Sequence, residues 1–191
     1  MYTGIVEATG TIRSTDRTDD GLTLRVDAPF ERSVGDSLAV DGVCLTVADH
    51  DGGRLVADCS TETVARTTVD RRRPGDTVNL ERPLAADGRF DGHVVKGTVD
   101  TTTRLAAIRE DGDTHEYVFE RPETPYVVEK GAVALDGVSL TVTAIDGGTF
   151  SVATVPETRR VTTLSEYAPG DRANVEYDVL AKYARGPAVE A

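Results

Sequence analysis

The chain has 191 residues, of which 33 are Asp or Glu and 21 are Lys or Arg, giving a formal charge of −12. That balance argues against nucleic acid and anionic membranes as partners, and no apolar run approaches the roughly 20 residues of a membrane-crossing helix. The two cysteines, Cys44 and Cys59, have neither CxxC spacing nor a nearby histidine pair, which argues against a zinc site and a disulfide framework. The N-terminus lacks the basic stretch and apolar run of a secretory leader, so a cytoplasmic protein is expected.

In chain order the first half reads as mostly strand. Ile5-Val6 and Thr11-Ile12 are short extended pieces, and Leu22 to Val26 alternates apolar and polar residues as a half-buried strand does. Ser37 to Val40 runs into Asp41-Gly42, a turn signal, and Cys44 to Val47 continues as a strand. Asp51-Gly52-Gly53 predicts a hairpin tip, with Leu55 to Ala57 returning. Ser60 or Thr61 caps a short helix through Arg66, and Pro74-Gly75-Asp76 turns into a strand over Thr77 to Glu81. Residues 85–93 read as a linker.

The second half predicts strands near Val94–Val99, Arg104–Ile108, Glu116–Glu120, Ala132–Leu135, Ser139–Val142, Phe150–Ala153 and Ala173–Tyr177. A short helix lies near Glu157–Thr163, and a tail helix over Leu180 to Arg185 is stopped by Gly186-Pro187. Short strands separated by Gly-Asp turns indicate an all-β fold of antiparallel barrels or sandwiches.

The two halves are copies. Asp41-Gly42-Val43-Cys44-Leu45-Thr46-Val47 returns as Asp136-Gly137-Val138-Ser139-Leu140-Thr141-Val142, 95 positions later. The same shift superposes Glu62-Thr63 on Glu157-Thr158, Thr67-Thr68 on Thr162-Thr163, Asn79 on Asn174 and Glu81 on Glu176. A period this long is a domain duplication, not a solenoid. The expected boundaries are 1–86, 87–177 and a tail of 178–191. Each half has a small core and is expected to rest on the other half or on another subunit.

Candidate chemistry lies where the copies differ. Cys44 stands against Ser139, Lys130 against Gly35, and Asp178 against Pro83. A duplicated pocket with unlike polar groups can hold one molecule in two chemical roles; drift after duplication is the plainer alternative. The order of residues forms no Ser-His-Asp sequence, HExxH, P-loop or GxGxxG after a strand. Each candidate also has a structural reading: Cys44 as a buried small hydrophobe, Thr46 and Thr141 as strand formers, Lys130 as a solvated turn residue, Asp178 as a helix cap.

Met1-Tyr2-Thr3-Gly4-Ile5, the two DGV(C/S)LTV stretches, Gly92-His93-Val94-Val95-Lys96-Gly97, Pro156-Glu157-Thr158, Thr162-Thr163-Leu164, Gly170-Asp171 and Asn174-Val175-Glu176 together resemble riboflavin synthase. The resemblance runs from Met1 to about Tyr183. It implies tandem six-stranded Greek-key barrels, each binding one 6,7-dimethyl-8-ribityllumazine. It also implies dismutation of two such molecules to riboflavin and 5-amino-6-ribitylamino-pyrimidinedione, without metal or cofactor, in a homotrimer whose active sites lie between barrels of different subunits. Tyr2 stands where the family has Phe, Thr98 stands where it has His, and the tail is shorter than the family's trimer-forming helix.

Carried over by position, the resemblance assigns Gly4, Ile5 and Val6 to a first pocket. Cys44, Leu45 and Thr46 complete it, together with Asp58, Cys59, Ser60, Thr61, Glu62 and Thr63. It assigns Gly97, Thr98 and Val99 to a second pocket, with Lys130, Ser139, Leu140 and Thr141. Thr154, Val155, Pro156, Glu157, Thr158 and Arg159 join that pocket. Ser139 and Asp178 are implied in proton handling or water activation, with Cys44 and His93 beside them. If His93 and Thr98 shared one strand, their odd spacing would put them on opposite faces. His93 would then reach the pocket only through a bend near Gly97. Two further readings are a non-catalytic lumazine- or flavin-binding relative and the flavin-binding barrel of a reductase, for which no nicotinamide-binding half is present.

The Asp-rich surface, with only three lysines, reads as adapted to high salt; ordinary acidic solubilisation is the alternative. Salt screens like-charge repulsion over about 8 Å or less. The melting temperature is therefore expected to rise from low-salt buffer to molar KCl. An unchanged or lower value would remove the salt-adapted reading.

Overall fold

The computed structural model describes residues 1–51, 54–112 and 114–185. The first copy forms β1 (Ala8–Thr18), β2 (Gly21–Asp27), β3 (Ser37–Val40), β4 (Val43–Asp51), β5 (Arg54–Ser60), helix α1 (Thr61–Arg66) and β6 (Thr77–Glu81). The second forms β7 (Thr101–Asp111), β8 (Thr114–Glu120), β9 (Ala132–Leu135), β10 (Val138–Asp146), β11 (Thr149–Thr154), α2 (Pro156–Val161) and β12 (Arg172–Tyr177), followed by α3 (Val179–Arg185). Each set of six strands closes into an antiparallel barrel, in the orders β1-β2-β5-β4-β3-β6 and β10-β11-β8-β7-β12-β9. The expected tandem Greek-key barrels are therefore present.

Alternation fills each barrel. In β2, Leu22, Leu24 and Val26 point inward to meet Leu38, Leu45, Leu55 and Leu80. The second core carries rings instead: Phe119 and Phe150 stack at 5.7 Å, and Tyr167 meets Phe119 edge-on. Helix α1 starts where expected, with the Ser60 hydroxyl accepting from the Thr63 N–H. In α2 the cap position is Val155, which supplies no side-chain bond, and Pro156 sets the first turn.

Three expectations change. The piece read at Thr11-Ile12 is the middle of an 11-residue strand, β1, whose exposed end is polar and pairs with β2 through Arg25–Asp16 and Arg13–Asp27 contacts. Its sparse apolar residues hid it. The strand expected over Val94–Val99 is a single bridge, Val95 to Tyr2; the N–H groups of Lys96, Gly97 and Thr98 go to the Glu176 carboxylate instead of a ladder. Two 3-10 turns, Val69–Arg71 and Thr163–Glu166, follow α1 and α2 without having been anticipated. The hairpin tip read at Gly52-Gly53 and the helix stop at Gly186-Pro187 lie outside the described residues.

The barrels rest on each other around a pseudo-twofold axis. Asp41-Gly42 and Asp136-Gly137 form two-residue hairpin turns, with all four residues at positive φ, the type I′ geometry that suits Asp-Gly. The turns sit back to back: a Cβ on Gly42 would lie 2.7 Å from the Gly137 nitrogen. Across the axis the side-chain amide of Asn79 donates to the Asp136 carbonyl, and that of Asn174 donates to the Asp41 carbonyl, both at 2.9 Å. The same asparagines accept from Thr163 and Thr68 N–H across the interface. Each bond is worth about 0.5–1.5 kcal/mol net, but leaving these buried groups unpaired would cost more.

Two buried carboxylates, Asp41 and Asp136, meet at this axis and share one guanidinium, Arg72, at 2.7 and 3.1 Å. Tyr167 holds the position equivalent to Arg72 and donates its hydroxyl to Asp136. Burial pushes Asp41 up to about 7, against the opposing pull of Arg72, and it raises Asp136 as well. A carboxyl raised on folding stabilises the fold below its unfolded value near 4, and that contribution is lost as pH rises through the folded value. The melting temperature should fall from about pH 5 to about pH 8. Self-repulsion of the net charge acts in the same direction, so Asp41→Asn isolates the local part. It should flatten the slope, and a slope equal to that of the unaltered protein would contradict the assignment.

Candidate functional site

The first seven residues and residues 94–100 are a second repeated pair, offset by 93 positions. Both cross the axis. Tyr2 and Val95, equivalent in this pair, exchange two backbone hydrogen bonds, N to O at 2.7 and 3.1 Å. Beyond that bridge each strand-like piece turns at a glycine with positive φ, Gly4 (+75°) or Gly97 (+78°).

The glycines reach the opposite barrel. The Ser139 N–H donates to the Gly4 carbonyl at 2.8 Å, and the Cys44 N–H donates to the Gly97 carbonyl at 2.9 Å. A Cβ on Gly4 would lie 2.6 Å from Ser139 Cβ, and one on Gly97 would lie 2.5 Å from Cys44 Cβ. Only glycine combines this φ with this approach. Val6 joins the second core and Val99 packs on the first. The grouping expected from the sequence is therefore crossed. Gly4, Ile5 and Val6 belong with Ser139, while Gly97, Thr98 and Val99 belong with Cys44.

Around Ser139 the structure gathers chemistry that the order of residues concealed. The Ser139 hydroxyl and His93 Nδ1 lie 2.7 Å apart. Burial holds the His93 imidazole below its ordinary value, outweighing the charge of Asp178, which favours the protonated form. His93 is thus neutral near pH 7 and can take a proton, either from the hydroxyl or from a water held by it. Its Nε2 is buried without a protein partner among the described residues. His93 and Ser139 meet by hydrogen bond and the charge of Asp178 is felt at the imidazole, although the chain order of the three matches none of the familiar triads. The opposite-face placement of His93 fails because residues 91–94 and 96–100 form no strand. Asp178 also accepts from the Leu180 N–H at the start of α3, the capping role foreseen for it.

Around Cys44 the chemistry is different. The Tyr2 hydroxyl donates to Cys44 Sγ at 3.0 Å, and Tyr2 is fully buried. Burial, with the neighbouring thiol, raises the phenol well above its ordinary value, so it stays a donor. Cys44 itself is exposed, which removes the buried-hydrophobe reading. Tyr2 was noted in the sequence only as an aromatic replacement; its repeat partner Val95 marks it as a second site of difference between the copies.

The other expected residues divide by position. Thr46, Thr141 and Lys130 are exposed, while Leu45 and Leu140 fill the two cores. Lys130 adopts φ +63° where its equivalent is Gly35 at +91°, a conformation that costs a side-chain residue roughly 1–2 kcal/mol. On the first barrel, Asp58 accepts from the Thr23 hydroxyl, Ser60 pairs with Thr63, and Glu62 with Arg66. Thr61 is exposed, whereas Cys59 is buried in the core, which turns its thiol away from any ligand. On the second barrel, Thr154 is buried, Val155 and Pro156 are exposed, Thr158 is half-buried and Glu157 pairs with Arg160. Arg159 is held by the Tyr117 hydroxyl and by His115.

The sequence reading missed Glu81 and Glu176 as part of the site. Glu81 accepts from Thr3 and Gly4, and Glu176 from Lys96, Gly97 and Thr98. The signal was present: a carboxylate retained in both copies, each directly after an apolar strand residue, Leu80 or Val175.

The lumazine binding domain model matches twice, over residues 3–83 and 96–178. Riboflavin synthase of Mycobacterium tuberculosis (strain ATCC 25618 / H37Rv) is 42% identical over 96% of this chain and 96% of its own. That of Schizosaccharomyces pombe is 38% identical over 96% and 91%. The chain belongs to the riboflavin synthase family. The family's barrel pair also superposes on LumP complexed with riboflavin, with a TM-score of 0.83 at 23% identity, over 93% of this chain and 99% of that one. This likeness speaks to the fold alone. Among the described residues no helix is long and apolar enough to cross a membrane.

Thr98 stands where the resemblance expects a histidine. Its N–H is held by Glu176, and its side chain is exposed. A hydroxyl can bond a water but cannot act as a base near neutral pH, whereas the Ser139–His93 pair can. Thr98→Ala should keep enzymatic turnover within about tenfold. Ser139→Ala and Asp178→Asn should each lower it by about 10²–10⁴. Loss of turnover in Thr98→Ala with binding intact would move the base work to the hydroxyl.

Proposed function

We propose that the chain is a riboflavin synthase that dismutates two molecules of 6,7-dimethyl-8-ribityllumazine. One molecule gives a four-carbon unit to the other, yielding riboflavin and 5-amino-6-ribitylamino-pyrimidinedione. The observation that carries this reading is the pair of like clusters with unlike groups. One has a thiol with a phenol donor, Cys44 and Tyr2; the other has a hydroxyl with a neutral imidazole, Ser139 and His93. A dismutation needs this combination, because the same molecule must be bound twice and treated differently. The curated relatives named above carry that activity in their names.

In this reading each barrel takes one lumazine. Strand-edge amides and carbonyls suit the flat heterocycle, and hydroxyls such as Thr46 and Thr141 suit the ribityl chain. The Ser139–His93 pair moves a proton at the ring or at a water bound there, and Asp178 favours the imidazolium that forms. Holding both reactants face to face supplies much of the rate. Both clusters open to the outside of the chain: Cys44, Thr46, Thr98, Thr141 and Val155 are exposed. A second subunit would close each pocket, so the active assembly is a homotrimer with the first barrel of one subunit facing the second barrel of another. Activity that depends on this assembly falls when the subunits separate on dilution.

A second reading is a lumazine-binding relative without turnover. It is favoured by Thr98 in place of the family's histidine; LumP, which shares the fold, is known in complexes with the lumazine and with riboflavin. Incubation of the purified protein with the lumazine in molar KCl separates the two. Riboflavin appearing with one pyrimidinedione per turnover, at a specific activity that falls on dilution, is the expected result. Tight binding without product would establish the second reading. Activity independent of dilution into the nanomolar range, with a monomer mass, would overturn the trimer.

A further inference from the structure

Glu81 and Glu176 are equivalent residues on β6 and β12, 5% and 3% exposed. Each is a buried carboxylate that makes three charge-assisted bonds. Oε1 of Glu176 accepts from Lys96 N–H at 2.6 Å, and Oε2 accepts from Gly97 and Thr98 N–H at 2.9 and 2.8 Å. Oε1 of Glu81 accepts from the Thr3 N–H and hydroxyl at 2.6 and 2.9 Å, and Oε2 accepts from Gly4 N–H at 3.0 Å. Successive N–H groups converging on one anion form a nest; here the anion is the protein's own side chain.

The direction of each grip is what matters. Glu176 stands in the second barrel, yet the segment it holds presents the Gly97 carbonyl to Cys44 of the first. Glu81 stands in the first barrel, yet its segment presents the Gly4 carbonyl to Ser139 of the second. The far ends of the segments are tied by Glu7 N–H to the Leu80 carbonyl and Asp100 N–H to the Val175 carbonyl, and His93 N–H reaches the Thr3 carbonyl, but the N–H groups around the two glycines go to the carboxylates. The segments form no ladder beyond the Tyr2–Val95 bridge, and the glycines are at positive φ. We propose that Glu81 and Glu176 are positioning residues that act crosswise, each building the ligand pocket of the barrel to which it does not belong. The ligand part of this proposal rests on the reading that each barrel binds one lumazine.

Glutamine keeps the size of the side chain but offers one acceptor oxygen and turns an NH2 toward N–H donors. Glu176→Gln and Glu81→Gln therefore loosen one segment each. Amide hydrogen exchange should speed at least tenfold at Lys96–Thr98 and Cys44 in Glu176→Gln, with Ser139 unchanged. In Glu81→Gln it should speed at Thr3–Gly4 and Ser139, with Cys44 unchanged. Titration with 6,7-dimethyl-8-ribityllumazine should find two sites per chain in the unaltered protein. Each variant should weaken one site at least tenfold and leave the other within about twofold, and the exchange pattern identifies which. Thr3→Val removes one donor to Glu81 without changing size, and it gives a smaller effect of the same asymmetry if Glu81→Gln does not fold. Exchange or binding altered equally at both sites would mean a merely structural role and overturn the proposal. An unaltered protein that binds no lumazine would overturn the functional reading, and the crossed exchange pattern would then decide the positioning role by itself.

Discussion

Everything else in this molecule depends on two Asp-Gly turns meeting back to back. A type I′ turn needs positive φ at both central residues, and close contact of two such turns leaves no room for a side chain at Gly42 or Gly137. Once the turns touch, the flanking Asp carboxylates are sealed from water. Their lone pairs must then be met from inside the protein. Asn79, Asn174, Arg72 and Tyr167 meet them. The apolar part of the junction is small, chiefly Tyr2, Ala39, Val95 and Ala134. The junction is specified more by polar complementarity than by buried hydrocarbon.

That junction also explains why the clusters lie where they do. With the barrels fixed about an axis, the two crossing segments are brought beside each other and bridge once. Each must then turn outward toward the partner barrel. The thiol and the hydroxyl that differ between copies are the residues against which the glycines stop. Positions that differ in the repeat thus lie where the crossing glycines stop, while positions that agree become the frame holding them. Duplication gives the frame, and divergence between Cys44 and Ser139 gives the two glycines unlike polar neighbours.

Much of the fold was legible because short strands with alternating apolar residues, such as Leu22–Val26, and Asp-Gly turns carry local signals. The failures have local causes as well. β1 escaped because Ile12 is nearly its only large apolar residue and its outer half is a polar ribbon. Val94–Val99 looked like a strand because Val is a strand former, but its N–H groups are claimed by a carboxylate distant in sequence. The site was half legible. The repeat identified Cys44 and Ser139 as a pair, but which glycine faces which could not be read from one dimension. The His93–Ser139 contact was hidden for the same reason, since 46 residues separate two atoms 2.7 Å apart.

Arg72 and Tyr167 hold equivalent places on either side of the axis, and they could not both be the same residue without loss. Two arginines would crowd two positive charges onto a pair of carboxylates already satisfied by one. Two tyrosines would leave both carboxylates buried with no counter-charge. A dimer of identical chains cannot resolve this, because symmetry writes every choice twice. A single chain carrying both copies can place a cation on one side and a neutral donor on the other. Covalent linkage thereby admits an odd number of charges at the centre of a two-fold arrangement.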